Sequence, residues 1–402
     1  MTTPSLFETI GLAVNFWQPT IAFTAGSPNT VTITPRGSRL TVSSDVVAGI
    51  SYVLKAVGGF WSADLTLIAD RLELEWWLEH GIGLHVEVSD PGANVVWAGR
   101  VNSLSLTMAG LSITKGPLLE TGNRCIVSYA PADTTSAEPT LGTRTDTAIG
   151  ENSDSQRKYG ILYAYLSTGG VTDTEALQIR DLFLAENAEP KVSRSLRLSG
   201  SNQPSALSLE CSGYVQTFGQ WPYNQTTTTG LGNLSTKLAA VIDADPNNLF
   251  SSANAAITTN AIQVPLWVSK DRDAWAVIQG LVDMGDITDV RYLFQVGEGQ
   301  YVTYASMPTT IEYHQRITDN RQTITTPTGQ LVPPWNVQAG KWVLVPDFLV
   351  GSSISADLRT DYRAMFAEQV TFTSPDSVDL QGGDADRLAQ VLAKKGLDGL
   401  NV

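Results

Sequence analysis

The chain has 402 residues, of which 42% are hydrophobic and 16% are charged, and its formal net charge is −14. This length is enough for two or three domains that bury their own cores without disulfides or metal ions. Lys and Arg are scattered singly or in pairs, so the sequence argues against specific nucleic-acid binding. No stretch reaches the roughly 18 apolar residues of a membrane span, and Met1 to Ser5 lack the basic start of a secretory signal, so we expect no membrane insertion.

The first third of the chain, residues 6–130, is expected to form mostly β-strands. Four segments alternate or are rich in β-branched residues: 30–34, 40–42, 84–88 and 95–101. The Pro-Arg-Gly sequence at 35–37 predicts a turn between the first two segments. The Asp-Pro-Gly sequence at 90–92 predicts the turn of a hairpin formed by the last two.

Residues 71–80 are the exception, because they carry the signals of a short helix. Asp70 with Glu73 forms a capping-box pattern at its start. Leu72 and Trp76 share one helical face. The same residues also alternate apolar and charged side chains as a strand would, and we favour the helix.

Small polar residues at 132–158 predict a loop or a domain boundary. A helix is expected to follow, because Thr172 and Glu175 form another capping box. Apolar residues then recur at helical spacing until Pro190, which ends the pattern.

The second half predicts strands and helices in mixed order. Strands are expected at residues 195–198, 207–211, 214–218, 262–268 and 290–296, and through 310–380, where 341–345 is the clearest. Helices are expected at about 231–243, at about 272–284 with Asp271 as the cap, and at 385–395. The sequence therefore predicts a β-rich α+β protein.

Signatures of catalysis, cofactor binding and metal binding are missing from the sequence. The histidines are too few and too scattered for a zinc site: His80, His85 and His314. No nucleophile elbow or phosphate-binding loop occurs, and the glycine pattern at 230–235 has Ser235 where a dinucleotide fingerprint needs glycine. Asp283, Asp286 and Asp289 lack EF-hand spacing and indicate a solvated turn. We therefore predict no catalytic, cofactor-binding or metal-binding residues and no enzyme activity.

The positions of tryptophan and cysteine separate expected core from expected surface. Four tryptophans lie in apolar periodic segments, where core burial is expected: Trp97, Trp267, Trp275 and Trp342. Cys125 and Cys211 stand in apolar strand-like stretches, so we expect both to be buried and unbridged. Trp76, Trp77 and Trp335 are candidates either for stacking on sugars beside paired carboxylates or for a subunit interface.

Several phrases of the sequence resemble those of tail hub or minor tail proteins of long-tailed bacteriophages. They are residues 96–101 (VWAGRV), 113–118 (ITKGPL) with 123–124 (NR), 154–160 (DSQRKYG) and 332–342 (VPPWNVQAGKW). Each phrase is a loose structural pattern, and none is a catalytic signature.

The resemblance implies two tube-type antiparallel β-barrel domains with smaller α+β insertions. The implied domains are a first barrel (1–133), a loop and helical insertion (134–189), a second barrel (190–225 with 311–380), an inserted α+β lobe (226–310) and a C-terminal helix and tail (381–402). The hub family resembles the baseplate hubs of contractile tails, in which three such subunits give a pseudo-sixfold ring.

The same resemblance implies a structural function in the virion. Made in the host cytoplasm, the chain would form a homotrimeric ring at the phage tail tip that adapts the sixfold tail tube to threefold tip proteins. Its implied partners are distal tail and tail tube proteins on one side and tip or fibre proteins on the other, and genome DNA would pass through without specific binding. Three copies carry −42, three times −14, and a lumen of that sign would repel phosphate.

Two alternative functions stay open at this point. One is a carbohydrate-binding or glycan-degrading tail protein, which the tryptophans and the abundant carboxylates favour. The other is a hexameric distal tail or tail tube protein. An exposed aromatic surface beside two carboxylates would favour the glycan function, whereas buried or interfacial tryptophans would favour the hub.

Overall fold

The protein is represented by a computed structural model. The structure describes residues 12–23, 31–40, 47–68, 71–108, 110–131, 142–196, 205–223, 232–264, 273–288, 290–318, 321–346 and 362–383. Five α-helices lie in these ranges: α1 (Arg71–His80), α2 (Ser153–Tyr159), α3 (Asp173–Asn187), α4 (Leu234–Ile242) and α5 (Ala274–Asp283).

The same ranges hold 24 β-strands. The first eight are β1 (Ala13–Phe23), β2 (Val31–Leu40), β3 (Val47–Lys55), β4 (Gly58–Leu67), β5 (His85–Ser89), β6 (Val95–Met108), β7 (Leu111–Lys115) and β8 (Arg124–Pro131). The next eight are β9 (Thr145–Asp146), β10 (Gly150–Glu151), β11 (Tyr163–Val171), β12 (Val192–Leu196), β13 (Ala206–Gly213), β14 (Gly232–Asn233), β15 (Ala256–Ile257) and β16 (Gln263–Val264). The last eight are β17 (Tyr292–Val296), β18 (Val302–Ser306), β19 (Ile311–Thr318), β20 (Arg321–Thr325), β21 (Leu331–Val332), β22 (Trp342–Pro346), β23 (Tyr362–Thr373) and β24 (Ser377–Gly383).

Eighteen of these strands belong to one mixed sheet. Nine of its strands pair antiparallel with their neighbours in the order β2, β1, β5, β6, β13, β4, β3, β23 and β24. Strands from distant parts of the chain therefore alternate, with β13 inserted between β4 and β6 and with β23 paired to β3. The described strands close no barrel, so the two-barrel arrangement stays a prediction, whereas the β-rich class is confirmed.

Two large apolar cores and three smaller clusters hold the described elements together, and the largest three are as follows. The main core lies on the inner face of the sheet, where Phe16 and Trp77 meet edge to face with ring centroids 4.6 Å apart. A second core fills the space between α4, α5 and the 3-10 helix Tyr214–Gln220, and in it Phe218 stacks on Phe250 at 4.3 Å. The third core packs α3 against β8 and β11, which run parallel.

The turn predicted at residues 35–37 is wrong, because β2 continues through it. The pairing with β1 moves from Gln18 opposite Ser38 to Thr20 opposite Thr34, so these three residues form a bulge. Among the described strands β2 pairs with β1 alone, and an edge strand tolerates a proline that donates no ladder hydrogen bond. A Cβ on Gly37 would lie 2.8 Å from Thr20 Oγ1, so the bulge also needs glycine's small size.

The strand predicted at residues 214–218 is also wrong, since these residues form the 3-10 helix Tyr214–Gln220. Consecutive side chains of a strand point to opposite faces. Here Tyr214 and its neighbour Val215 are both buried in the second core, together with Phe218. In a 3-10 helix Val215 and Phe218, three residues apart, lie on the same side, and the neighbouring Tyr214 is buried in the same core, so packing against the second core decides the local structure.

Two of the predicted helices are confirmed with their ends. In α1, the Gly81 N–H donates to the Trp77 carbonyl at 2.7 Å and closes the last turn, while Asp70 lies outside the described residues. In α3, both halves of the capping box are present: Thr172 Oγ1 accepts from the Glu175 N–H, and Glu175 Oε2 accepts from the Thr172 N–H at 2.8 Å.

Three further helix predictions differ in outcome. The helix α4 is confirmed, and α5 is confirmed with a different cap, because Asp273 Oδ1 accepts from the Ala276 N–H at 2.7 Å and Asp271 lies outside the described residues. The helix predicted at 385–395 lies outside the described residues as well.

The loop predicted at 132–158 contains α2, a helix that the polar composition hid. Its buried side is itself polar: Ser155 and Gln156 are buried and bond to Asn123. Helix periodicity in apolar residues was therefore missing from the sequence.

Candidate functional site

The outer face of α1 carries a row of exposed apolar side chains. Leu74 and Trp77 on the inner face are buried in the main core. Leu72 and Trp76 lie one turn apart on α1 and are exposed, Leu72 to 77%, and Ile68, which precedes the helix, is 48% exposed. These three residues are called the apolar stripe below. Because the stripe is on the side opposite the core, burying it requires another molecule or another segment of the chain.

Contacts at the end of α1 hold the stripe in place. Trp76 stacks on His80 with ring centroids 5.0 Å apart and meets the buried Trp77 edge to face. Lys115 Nζ donates to the carbonyl oxygens of Leu78 at 3.3 Å and Glu79 at 2.9 Å, in the last turn. A cation at this position satisfies free carbonyls and complements the helix dipole, so the stripe is presented by a fixed helix.

An open strand edge lies near the C-terminal end of α1. Strand β12 pairs with β7 and with no other described strand, and all five of its residues are exposed, with Leu196 at 67%. Its first residue, Val192, stands opposite Lys115, the residue that contacts the end of α1. The apolar stripe and β12 are together called the assembly face below. Unpaired backbone groups at such an edge can pair with a strand of another chain.

A groove of about 760 Å³ lies where four distant chain segments meet. These segments are the β3–β4 turn, the β5–β6 hairpin, residues 295–303 and residues 335–339. The volume falls in the range of roughly 300–1,000 Å³ that is usual for small-molecule sites. Its lining combines aromatic, amide and charged side chains: Phe60, Tyr301, Trp335, Asn94, Gln295, Asn336, Gln338, Lys55, Asp90 and Glu298.

Asp90, in the wall of the groove, is fully occupied by local hydrogen bonds. Its carboxylate accepts from the Asn94 N–H at 2.8 Å and from the Asn94 side chain, and also from Gly92 and Asn336. Burial raises the pKa of Asp90, but these hydrogen bonds outweigh it and hold the pKa below its usual value. Asp90 is therefore ionised at neutral pH and shapes the hairpin turn.

A polar network lies behind the groove and positions Glu298. The His85 ring bonds through Nε2 to Glu87 Oε1 at 2.8 Å, and Arg36 joins Glu87 to Glu298, whose Oε1 accepts from Arg36 Nη2 at 3.2 Å. Burial raises the pKa of Glu87, yet the hydrogen bonds from His85 and Arg36 lower it below its usual value. The network thus ties β2, β5 and the groove wall together.

Lys55 is the one basic residue of the groove lining. Its Nζ lies 3.6 Å from the centroid of the Trp61 ring, a cation–π contact, and burial lowers its pKa. No carboxylate of the described residues forms an ion pair with it. Lys55 is therefore a partly desolvated donor that faces the groove without an acidic partner.

The three histidines are far apart in the fold, on α1, β5 and β19. In the described part of the chain, no group of three His, Cys, Asp or Glu side chains is arranged to hold a metal ion.

The turn after α5 is built by Asp286, whose Oδ1 accepts from the Thr288 N–H at 2.7 Å and from the Val290 N–H at 2.9 Å, while Asp289 lies outside the described residues.

The tryptophan and cysteine predictions are confirmed at several positions. Trp97 is completely buried, and Cys125 and Cys211 are buried free thiols. Trp275 and Trp342 are half-buried and pack against the second core and against Phe366, while Trp267 lies outside the described residues.

Of the three tryptophans that the sequence left open, Trp77 is buried in the main core and the other two lie on different surfaces. Trp76 lies on the assembly face, and Trp335 lies in the groove. Lys55 and Gln295 match no motif, and Gln338, although it lies in the phrase 332–342, was not singled out as a binding residue, because the groove forms only when distant segments meet.

No helix of the described residues is long and apolar enough to cross a membrane.

Comparison with known proteins found no matching family model and no matching curated protein. Among solved structures, the tail protein from Neisseria meningitidis MC58 is 9% identical with a TM-score of 0.39, over 91% of this chain and 94% of that one. The prophage MuSo2 43 kDa tail protein from Shewanella oneidensis is 9% identical with a TM-score of 0.40, over 93% of this chain and 97% of that one. Both neighbours are tail proteins, and likeness at this level assigns neither a fold nor a function to this chain.

Proposed function

We propose that this chain is a structural subunit of a bacteriophage tail, and specifically the tail hub at the tail tip. In this role three copies form a ring that joins the sixfold tail tube and distal tail proteins to threefold tip or fibre proteins. Genome DNA passes through the ring without specific binding, and the subunit performs no chemistry.

The observation that carries the proposal is the assembly face. The side chains of its apolar stripe are exposed, whereas the apolar residues of the main core are buried. Exposed apolar side chains of this kind are suited to permanent subunit contacts. The open edge of β12 beside it offers strand pairing with a second chain. The β-rich framework with a few helices also supports the proposal, because the hub family that the sequence resembles is β-rich.

The state of Asp90 supports a role without chemistry. A glycan-degrading enzyme needs one carboxylic acid that is protonated near its working pH. In the groove, which holds the carboxylates of Asp90 and Glu298, the pKa of Asp90 is lowered and Glu298 pairs with Arg36. This arrangement favours binding over bond cleavage.

Electron cryomicroscopy of the intact particle tests the hub role. We expect a ring of threefold symmetry with an open channel at the tail tip. A sixfold ring would instead identify a distal tail or tail tube protein. Absence of the chain from the tail tip would refute the proposal.

A pair of variants tests whether the assembly face makes the subunit contact. Leu72→Glu places a charge in the stripe, and we expect it to reduce a trimer of about 130 kDa, three times 43.2 kDa, to monomers in light scattering. Leu182→Glu is the matched control, because Leu182 is an exposed leucine on α3, outside the assembly face. Equal masses for both variants would show that the contact lies elsewhere.

The net charge gives the channel its expected sign. Three copies carry −42, three times −14, so we expect an electronegative lumen that repels the DNA backbone. An electropositive lumen in the assembled ring would contradict a passive channel for DNA.

A further inference from the structure

We propose that the groove lined by the β3–β4 turn, the β5–β6 hairpin, residues 295–303 and residues 335–339 is a binding site for a neutral, hydroxyl-rich glycan. This proposal is independent of the hub role, since it concerns a surface other than the assembly face. It assigns the groove to binding alone, with no bond made or broken.

The first argument is the set of hydrogen-bonding groups that the groove leaves free. Trp335, Tyr301 and Gln338 line the groove, and their side chains make no hydrogen bond to any described residue, while Trp335 also packs against the main core. Lys55 adds a donor that lies over the Trp61 ring and forms no ion pair with a carboxylate of the described residues. These groups include both donors and acceptors, as a ligand with many hydroxyl groups requires.

The second argument is the charge of the lining. An anionic ligand would face the carboxylates of Asp90 and Glu298. A cationic ligand would meet Lys55, and neither acid is available as a strong partner, because Asp90 is saturated by four donors and Glu298 is paired with Arg36. A neutral ligand avoids both costs.

The third argument is the combination of aromatic and amide side chains. Aromatic rings present large, rigid surfaces to the apolar faces of a bound ring, and Tyr301 is 46% exposed. Amides such as Gln338 and Gln295 can donate to and accept from hydroxyl groups at the same time. Small-molecule sites commonly show this pattern of apolar surface with a few placed polar groups.

The groove is also held rigid without a ligand. Trp335 is fixed through its backbone, because its carbonyl oxygen accepts from the buried Tyr52 hydroxyl at 2.8 Å. The opposite wall is held by the bond from Arg36 to Glu298 and by the Asp90 turn. A preformed site loses less conformational entropy when it binds.

The test uses the full chain and four neutral probes: chitohexaose, cellohexaose, maltoheptaose and mannohexaose. We expect calorimetric titration to detect binding of at least one probe, with affinity weakened about tenfold or more in Trp335→Ala. Gln338→Ala, a change of an exposed side chain, is expected to weaken binding as well while leaving the melting temperature unchanged. Leu182→Ala is the control, because it changes an exposed side chain on α3 that lies outside both the groove and the assembly face, and it should leave the affinity unchanged.

Three outcomes would overturn the proposal. One is that none of the four probes binds at roughly millimolar concentration. Another is that Trp335→Ala and Gln338→Ala bind as the control does. A third is that the groove is filled by a neighbouring protein chain in the assembled particle. Each can occur whether or not the ring is threefold, so failure of this proposal is distinguishable from failure of the hub role.

Discussion

The end of β13 approaches the backbone at the start of β4 so closely that a glycine is needed there. Replacing this glycine gives a quantitative test of the fold. Gly213 stands opposite Gly99 of β6, and a Cβ on Gly213 would lie 2.5 Å from the carbonyl carbon of Phe60 and closer still to its oxygen. Carbon atoms in contact are ordinarily about 3.5–4.0 Å apart, so Gly213→Ala requires the strands to separate by about 1 Å. Because the obstacle is backbone, no side-chain rotation relieves the overlap.

The expected loss follows from that displacement. Overpacking of this kind costs about 1–3 kcal/mol, and a weakened ladder hydrogen bond adds about 1 kcal/mol, so we expect about 3 kcal/mol in the free energy of unfolding. At about 2.1 cal/mol/K per residue, a cooperative unit of this size has an unfolding entropy of about 0.8 kcal/mol/K, and the Tm should fall by about 4 °C.

Differential scanning calorimetry of two alanine variants makes the comparison. Gly219→Ala is the control, since Gly219 is exposed and nothing lies within 4 Å of a Cβ built on it. Its Tm should stay within about 1 °C of the parent, because alanine mainly restricts the unfolded chain there. Equal Tm values for the two variants would refute the close approach of the Gly213 and Phe60 backbones.

Three further predictions concern the core, a buried acid and a helix cap. Urea unfolding of Trp97→Ala should show a loss of about 3–5 kcal/mol, whereas Trp76→Ala on the exposed stripe should lose less than about 1 kcal/mol; similar losses would contradict the assigned burial. Burial raises the pKa of Asp245 to about 6, so protonation of Asp245 stabilises the folded state relative to the unfolded state. This stabilisation is complete below about pH 4 and is lost as the pH rises through 6. The unfolding free energy of the parent relative to Asp245→Asn should therefore fall between pH 4.5 and 7.5, and a constant difference would disprove the shift. Thr172→Ala should cost about 1 kcal/mol by removing the cap of α3, which denaturant titration would detect, and a neutral effect would show that the capping box contributes nothing.

The sequence by itself determined the features whose signals lie within a few residues. The capping box of Thr172 with Glu175 predicted the start of α3, and the apolar spacing predicted α4. The buried state of Trp97 followed from its apolar neighbours. Such features were predictable because helix caps and side-chain periodicity act between residues three or four apart.

Only the tertiary structure decided which strands pair and which surfaces they form. The insertion of β13 between β4 and β6 joins segments more than 100 residues apart, and no local pattern encodes it. Packing against the second core turned residues 214–218 into a 3-10 helix, and an edge position allowed β2 to continue through a proline. The groove likewise combines four segments, of which the sequence had singled out only Trp335 as a candidate for binding. The local conformational preference of one residue is worth roughly a few tenths of a kcal/mol. Burying an apolar side chain contributes about 1.5–3 kcal/mol, so long-range packing overrides the local preference where the two conflict.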